Sequence, residues 1–204
     1  PTKADTSFKI FRNCGPDAGA TSAGPLALSG ECTGAGYGYG TTFGTAGYGS
    51  VGADAAMSHG AENSAATGGF VSATFATQVV FTSSDPSIQF VNPSLNLHYE
   101  GSIAGAAGTF NGIEFGRWAG SIEAGVTFGG DFRLSHYVDS YDDSATSTFI
   151  SGLQVVDGYL TPAAGLMKLK TPGMTAFATD TPIDLSLSIK SSAWTTDWPG
   201  TSAH

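Results

Sequence analysis

Ile183-Asp184-Leu185-Ser186-Leu187-Ser188-Ile189-Lys190 alternates apolar and polar side chains without a break. In an extended chain successive side chains point to opposite faces, so the four aliphatic residues line one side and the polar residues the other. Wound as a helix, the same segment would scatter both sets around its circumference. It therefore reads as a strand with one face in a core and one in water.

The same period recurs along the chain. In Phe70–Phe81, Val71, Ala73, Phe75, Val79 and Phe81 face one way, and Ser72, Thr74, Ala76 and Gln78 the other. Leu95, Leu97 and Tyr99 alternate with Ser94, Asn96 and His98. Ile122, Ala124, Val126 and Phe128 form another inward face, and Gly129-Gly130-Asp131 turns the chain into Phe132, Leu134, His136 and Val138. Asn111-Gly112, between Phe110 and Ile113, is the strongest hairpin signal, because both types accept the positive φ of a tight turn. Ser7–Arg12 reads as a first strand, with Phe8 and Ile10 on one face and Lys9 and Phe11 on the other. Residues 15–30, 60–69 and 139–147 read as loops. Pro162–Pro172 admits either one helical turn or a short strand, and the last segment, with Trp194 and Trp198, is expected to end without a strand.

No run of ten residues carries the helical period. The expectation is an all-β, antiparallel two-sheet sandwich, jelly-roll-like, of about nine to eleven strands. It would form a single domain over 1–204 with an N-terminal extension over 1–12. A barrel or a β-solenoid is the alternative, and the absence of a fixed-period repeat counts against the solenoid.

Composition narrows the setting. Charged residues are 12%, about half the usual share, while 41% of the chain is hydrophobic and 11% aromatic, enough to build a core. The net charge is −9, and the eight Lys and Arg are scattered. No cluster could neutralise a phosphate backbone or an anionic bilayer, so neither nucleic acid nor a membrane surface is an expected partner. No stretch of 18 apolar residues is present, so no helix is expected to insert in a membrane. The sequence starts at Pro1 without a secretory leader, which fits either a processed chain or a boundary set by how the sequence was cut.

Cys14 and Cys32 are the only cysteines and bracket a Gly/Ser/Ala-rich segment. Low charge and a paired count point to a disulfide in an oxidising compartment; the alternative is two free thiols in a reducing one. Closing that loop would stabilise the fold by roughly 3 kcal/mol in the chain-entropy account.

Residues 34–60 set Tyr37, Tyr39, Phe43 and Tyr48 among glycines. This reads as a long irregular strand pair or as an aromatic face for a sugar or a partner subunit. Tyr37, Tyr39, Trp118, Trp194 and Trp198 are the candidates for stacking on a glycan; the two late tryptophans could equally plug the open end of a sandwich.

Catalytic patterns are missing. There is no G-x-S-x-G elbow and no H-E-x-x-H pattern, and His98 and His136 fall on strands. Glu114 and Glu123 are strand carboxylates without a glycosidase spacing. No catalytic residue, resident cofactor or enzymatic role is expected. Asp139, Asp142 and Asp143 form one acidic loop whose hard oxygens could hold calcium, although the spacing, turn glycine and terminal Glu of an EF-hand are absent.

Three stretches carry a resemblance: YGTTFGTAGYGSVGADAAMSHG from Tyr39, FVSATFATQVVFTSSDP from Phe70 and DTPIDLSLSIKSSAWTTD from Asp180. Over roughly residues 35–195 the layout resembles the secreted β-sandwich proteins of the PEP-CTERM/exosortase class of Gram-negative bacteria. The Pro-Glu-Pro, membrane helix and basic tail of that class are absent here. Its members also place a further strand after the point where this sequence stops, and the resemblance therefore implies either an end that was removed or a last strand supplied from elsewhere. The resemblance implies an exported matrix or surface protein.

Together these readings lead to an extracellular or cell-surface structural protein that assembles with copies of itself as a filament or matrix subunit. Docking is expected through Phe8, Ile10 and Phe11, with Phe8 and Ile10 filling a groove between the sheets of another copy, the alternative being that this strand pairs within its own chain; Ile183–Lys190 is expected to lack a neighbour in its own chain, an edge open to strand addition. The alternative is a lectin-like module that binds polysaccharide.

Overall fold

The computed structural model describes residues 6–13, 17–33, 38–59, 67–140, 146–151, 154–160, 164–170, 176–196 and 201–203. Among them there is no helix, and every ladder is antiparallel. The strands are β1 (Ser7–Asn13), β2 (Ala18–Ser22), β3 (Leu26–Thr33), β4 (Gly38–Gly47), β5 (Ser50–His59), β6 (Thr67–Val80), β7 (Phe90–Val91), β8 (Leu95–Glu100), β9 (Gly105–Ala106) and β10 (Gly108–Phe110). They continue as β11 (Ile113–Phe115), β12 (Arg117–Phe128), β13 (Asp131–Asp139), β14 (Thr146–Ser151), β15 (Gln154–Leu160), β16 (Ala164–Lys170), β17 (Phe177–Ala178), β18 (Pro182–Thr196) and β19 (Ser202–Ala203). The count exceeds the expected nine to eleven partly because six of the nineteen have only two or three residues.

One layer is a seven-stranded sheet in the order β14-β13-β12-β18-β6-β1-β2. The alternating segment that announces the fold lies at its centre. β18 pairs with β12 along one edge and with β6 along the other, from Pro182↔Val80 to Thr195↔Thr67. The expectation that this strand lacks a neighbour in its own chain is therefore corrected.

The second layer is made of two sheets. A five-stranded sheet, β3-β4-β5-β19-β9, and a three-stranded sheet, β15-β16-β8, each contribute to one core over the large sheet. Ala46, Ala55 and Met57 from the first meet Phe8, Ile10, Val71 and Phe75; Tyr99, Met167 and Leu169 from the second join the same cluster as Ile122, Val126, Phe132 and Leu134. The fold is an all-β antiparallel sandwich.

The N-terminal strand is also settled within the chain. β1 lies between β6 and β2, with Phe8 opposite Phe75 and Ile10 opposite Ala73. Phe8 is 0% and Ile10 2% exposed. The ring of Phe8 packs edge-on against Tyr48 at 5.1 Å and tilted against Phe75 at 5.4 Å. Docking of Phe8 and Ile10 on another copy is overturned, since the apolar face that suggested insertion is consumed by the chain's own core. Phe11 points the other way, exposed and 5.8 Å from Phe70.

The glycine-aromatic segment is a hairpin with its pattern inverted. In β4, Gly40, Thr42, Gly44 and Ala46 are buried while Tyr39 and Phe43 are exposed. A Cβ on Gly44 would stand 2.7 Å from Cγ2 of Ile10, so the glycine is what lets the two layers approach. Residues 18–22 and 26–30, read as loop, lie in strands β2 and β3. Residues 164–170 resolve as a strand, and β19 ends a segment expected to have none.

Candidate functional site

The second layer has an opening where its two sheets meet. β4 covers one edge of β5 from His59 to Ser50. On the other edge, β19 pairs, among the described residues, at Ser202↔Ser58 and Ala203↔Met57, and its far side pairs with β9 at Ala106 and Gly105. β8 pairs with β16 from Glu100 to Leu95 and is the outermost strand on its other side. The track that β19 occupies between β5 and β9 thus continues, unfilled by any described strand, between Gly49–Val51 and β8.

This continuation is a cavity of about 450 Å³. Its walls are Gly49, Ser50 and Val51 on one side and Leu95–Glu100 on the other. Its floor is the inner face of β12, β13 and β18, including Ala124, Val126, Phe132, Leu185, Leu187 and Ile189. The floor residues are the apolar half of an alternating pattern, yet Ala124, Leu185 and Ile189 are only partly buried. Strand edges direct alternate N–H and C=O groups sideways, so the walls offer backbone donors and acceptors while the floor offers apolar surface. The groove suits an extended peptide more than a charged ligand. Its polar side chains are at the rim, where His98 Nε2 stands 3.3 Å from Glu100 Oε1 with both side chains mostly in water. Tyr99, between them in sequence, turns into the core, and burial raises its phenol above the usual 10.0.

No family model, no curated protein and no solved structure matches the chain.

The other expected residues scatter. Cys14 lies outside the described residues, and of Cys32 only its place on β3 opposite Gly40 is described, so the expected bridge falls there too. Tyr37, Trp198, Asp142 and Asp143 are likewise outside. Of the acidic loop only Asp139 is described; it accepts a hydrogen bond from Tyr137 Oη at 3.2 Å. Among the described residues no three His, Cys, Asp or Glu gather to hold a metal. Tyr39 is exposed on the outer face of β4. Trp118 is removed from the stacking candidates, because it faces inward with its ring against Gly105, where a Cβ would collide with it. Trp194 points outward from β18 and is 38% exposed. Glu123 also points outward, 3.6 Å from Lys190 Nζ.

Sequence reasoning overlooked Val51, Leu187 and Tyr137. Leu187 was visible as an inward residue, but its place beneath a gap depends on how residues far apart in the chain pair.

Proposed function

We propose that this protein is an extracellular or cell-surface structural subunit that associates with copies of itself by accepting a strand into the groove between β5 and β8. The groove itself carries the reading. Two strand edges flank an apolar floor, in line with a track that β19 already occupies at one end. An inserted strand would satisfy both edges through ladder hydrogen bonds and cover Leu185, Ile189 and Ala124. Each fully covered aliphatic side chain contributes about 1.5–3 kcal/mol before ordering costs. Low charge, small residues and a β-only architecture are consistent with close repetitive packing outside the cell, and the function in this reading is mechanical rather than catalytic.

The test is the assembly state. Light scattering and electron microscopy of the purified chain should show oligomers or filaments that grow with concentration. Ala124→Phe, which puts a ring on the groove floor, should leave a folded monomer. A wild-type chain that stays monomeric at all concentrations, or assembly indifferent to Ala124→Phe, would remove the proposal.

A further inference from the structure

We propose that the outer face of the seven-stranded sheet carries a binding trough for a neutral polysaccharide between Trp194 and Tyr137. This goes beyond the assembly reading and lies on the opposite face of the sheet from the groove.

Register puts the parts together. Trp194 on β18 pairs with Ala119 on β12, and Ser121 on β12 pairs with Ser192 on one side and Tyr137 on the other. Strands two apart are separated by about 10 Å, and two residues along a strand add about 7 Å, so the rings flank a diagonal trough. The trough has a volume of about 200 Å³ and is lined by Ala119, Gly120, Tyr137, Ser192 and Trp194. Both rings are about two-fifths exposed, so each has a face open to a ligand. Small side chains between them keep the floor low.

Each ring has a defined neighbour. Gly68 stands opposite Trp194 across the β6–β18 ladder, and a Cβ there would come 3.0 Å from Trp194 Cδ1. The indole thus rests over a glycine, in space that a side chain there would occupy. Tyr137 Oη donates to Asp139 Oδ2, which orients the phenol. Burial first, then this hydrogen bond and the charge of Asp139, raise the Tyr137 phenol above its usual range, so the hydroxyl stays protonated. Ser121 Oγ and Ser192 Oγ are 2.6 Å apart on the floor, each with hydrogen-bonding capacity to spare.

The chemistry selects the ligand class. A sugar ring is amphipathic: its C–H faces sit on the electron-rich faces of indole and phenol, and its hydroxyls meet serine hydroxyls and a carboxylate. Charge argues for a neutral polymer. The described cations beside the trough are few: Arg117 lies two residues along β12 from Ala119, and Lys190 is shared between Glu123 at 3.6 Å and the ring of Phe70 at 5.0 Å, while the chain as a whole carries −9. That contact also occupies the ring of Phe70, against which Phe11 packs at 5.8 Å, whereas Trp194 and Tyr137 flank an open trough.

Native gel electrophoresis through soluble hydroxyethylcellulose, laminarin and galactomannan tests the proposal, followed by calorimetry with any polymer that retards the protein. Trp194→Ala and Tyr137→Ala should each weaken binding about tenfold or more with melting unchanged, and Trp194→Phe should keep part of it. If an alanine variant fails to fold, Trp194→Phe and Tyr137→Leu report in its place. Measuring in the Ala124→Phe background separates this face from assembly. No retardation by any of the three polymers, retardation that both alanine variants retain, or self-association lost in Trp194→Ala without polymer would each overturn the proposal.

Discussion

Gly44 lies beneath Ile10 so closely that a Cβ on it would stand 2.7 Å from Ile10 Cγ2 and 3.0 Å from Val71 Cγ2. Ile10 is 2% exposed and Val71 fully buried, so neither can swing into solvent. Gly44→Ala should therefore force the two layers apart and destabilise by about 1–3 kcal/mol, the range for overpacking a core. Adding Ile10→Ala removes Cγ2 itself, so although that change is costly alone, the loss in the double variant should be smaller than the sum of the two single losses. Denaturant melts of the single and double variants check this; additive losses would show that the two residues are not in conflict.

The fate of β1 gives a second expectation. Phe8 fills the space between Phe75 and Tyr48, and its strand sits between β6 and β2. Phe8→Ala should cost about 3–5 kcal/mol, a large part of the 5–15 kcal/mol that holds a typical domain. Deleting residues through Arg12 should go further, stripping β6 of a partner and leaving β2 with none. Thermal melting reads both, and a deletion variant with an unchanged melting temperature would show that β1 does not belong to this core.

What was legible in the sequence follows the burial of single faces. β18 and β6 are readable because one face is in the core and the other in water. Asn111-Gly112 is readable because its turn needs two positive φ values, found at 53° and 78°. β2, with the sequence AGATS, has no large residue to mark a face, and β3 keeps its inward residues only half-covered near the sheet edge. β4 misled because close approach of two layers places glycine inward and sends Tyr39 and Phe43 out. The groove was not legible, because it is set by where β19 stops between β5 and β9. The outer trough was half-legible: Trp194 stood out, while Tyr137 needed the register of three strands.

Alkaline pH should expose the environment of Tyr99. Burial raises its phenol above 10.0, and the phenol of Tyr137 is raised as well. A group whose folded pKa exceeds its unfolded value contributes stability that is complete below the unfolded pKa and lost as pH climbs through the folded one. The protein should thus hold its stability up to about pH 10 and lose it above. Of the seven tyrosines, Tyr99 and Tyr137 should ionise late when phenolate absorbance is followed. Tyr99→Phe should flatten the alkaline loss, and a melting curve against pH that is unchanged by this substitution would contradict the assignment.

The groove makes a prediction whose sign separates an open track from a filled one. Ala124 lies on the floor, partly buried, beside Leu185, Leu187 and Ile189. If the space above it is open in the isolated chain, the ring of Ala124→Phe enters it without displacing a neighbour. It then covers apolar surface that water now touches, with a gain of about 1 kcal/mol after the entropy of fixing the ring. In a domain of this size, 1 kcal/mol corresponds to about 2–4 °C in melting temperature. If a strand from another copy already fills the track, the same ring overpacks it, and the cost is about 1–3 kcal/mol. The expected outcome therefore depends on concentration. Dilute monomer should melt higher in the variant than in the wild type. At concentrations where the wild type assembles, the order should reverse, because only the wild type gains from insertion. Calorimetry across a dilution series reads both regimes, and a variant that melts lower at every concentration would show that the floor is closed by the chain itself.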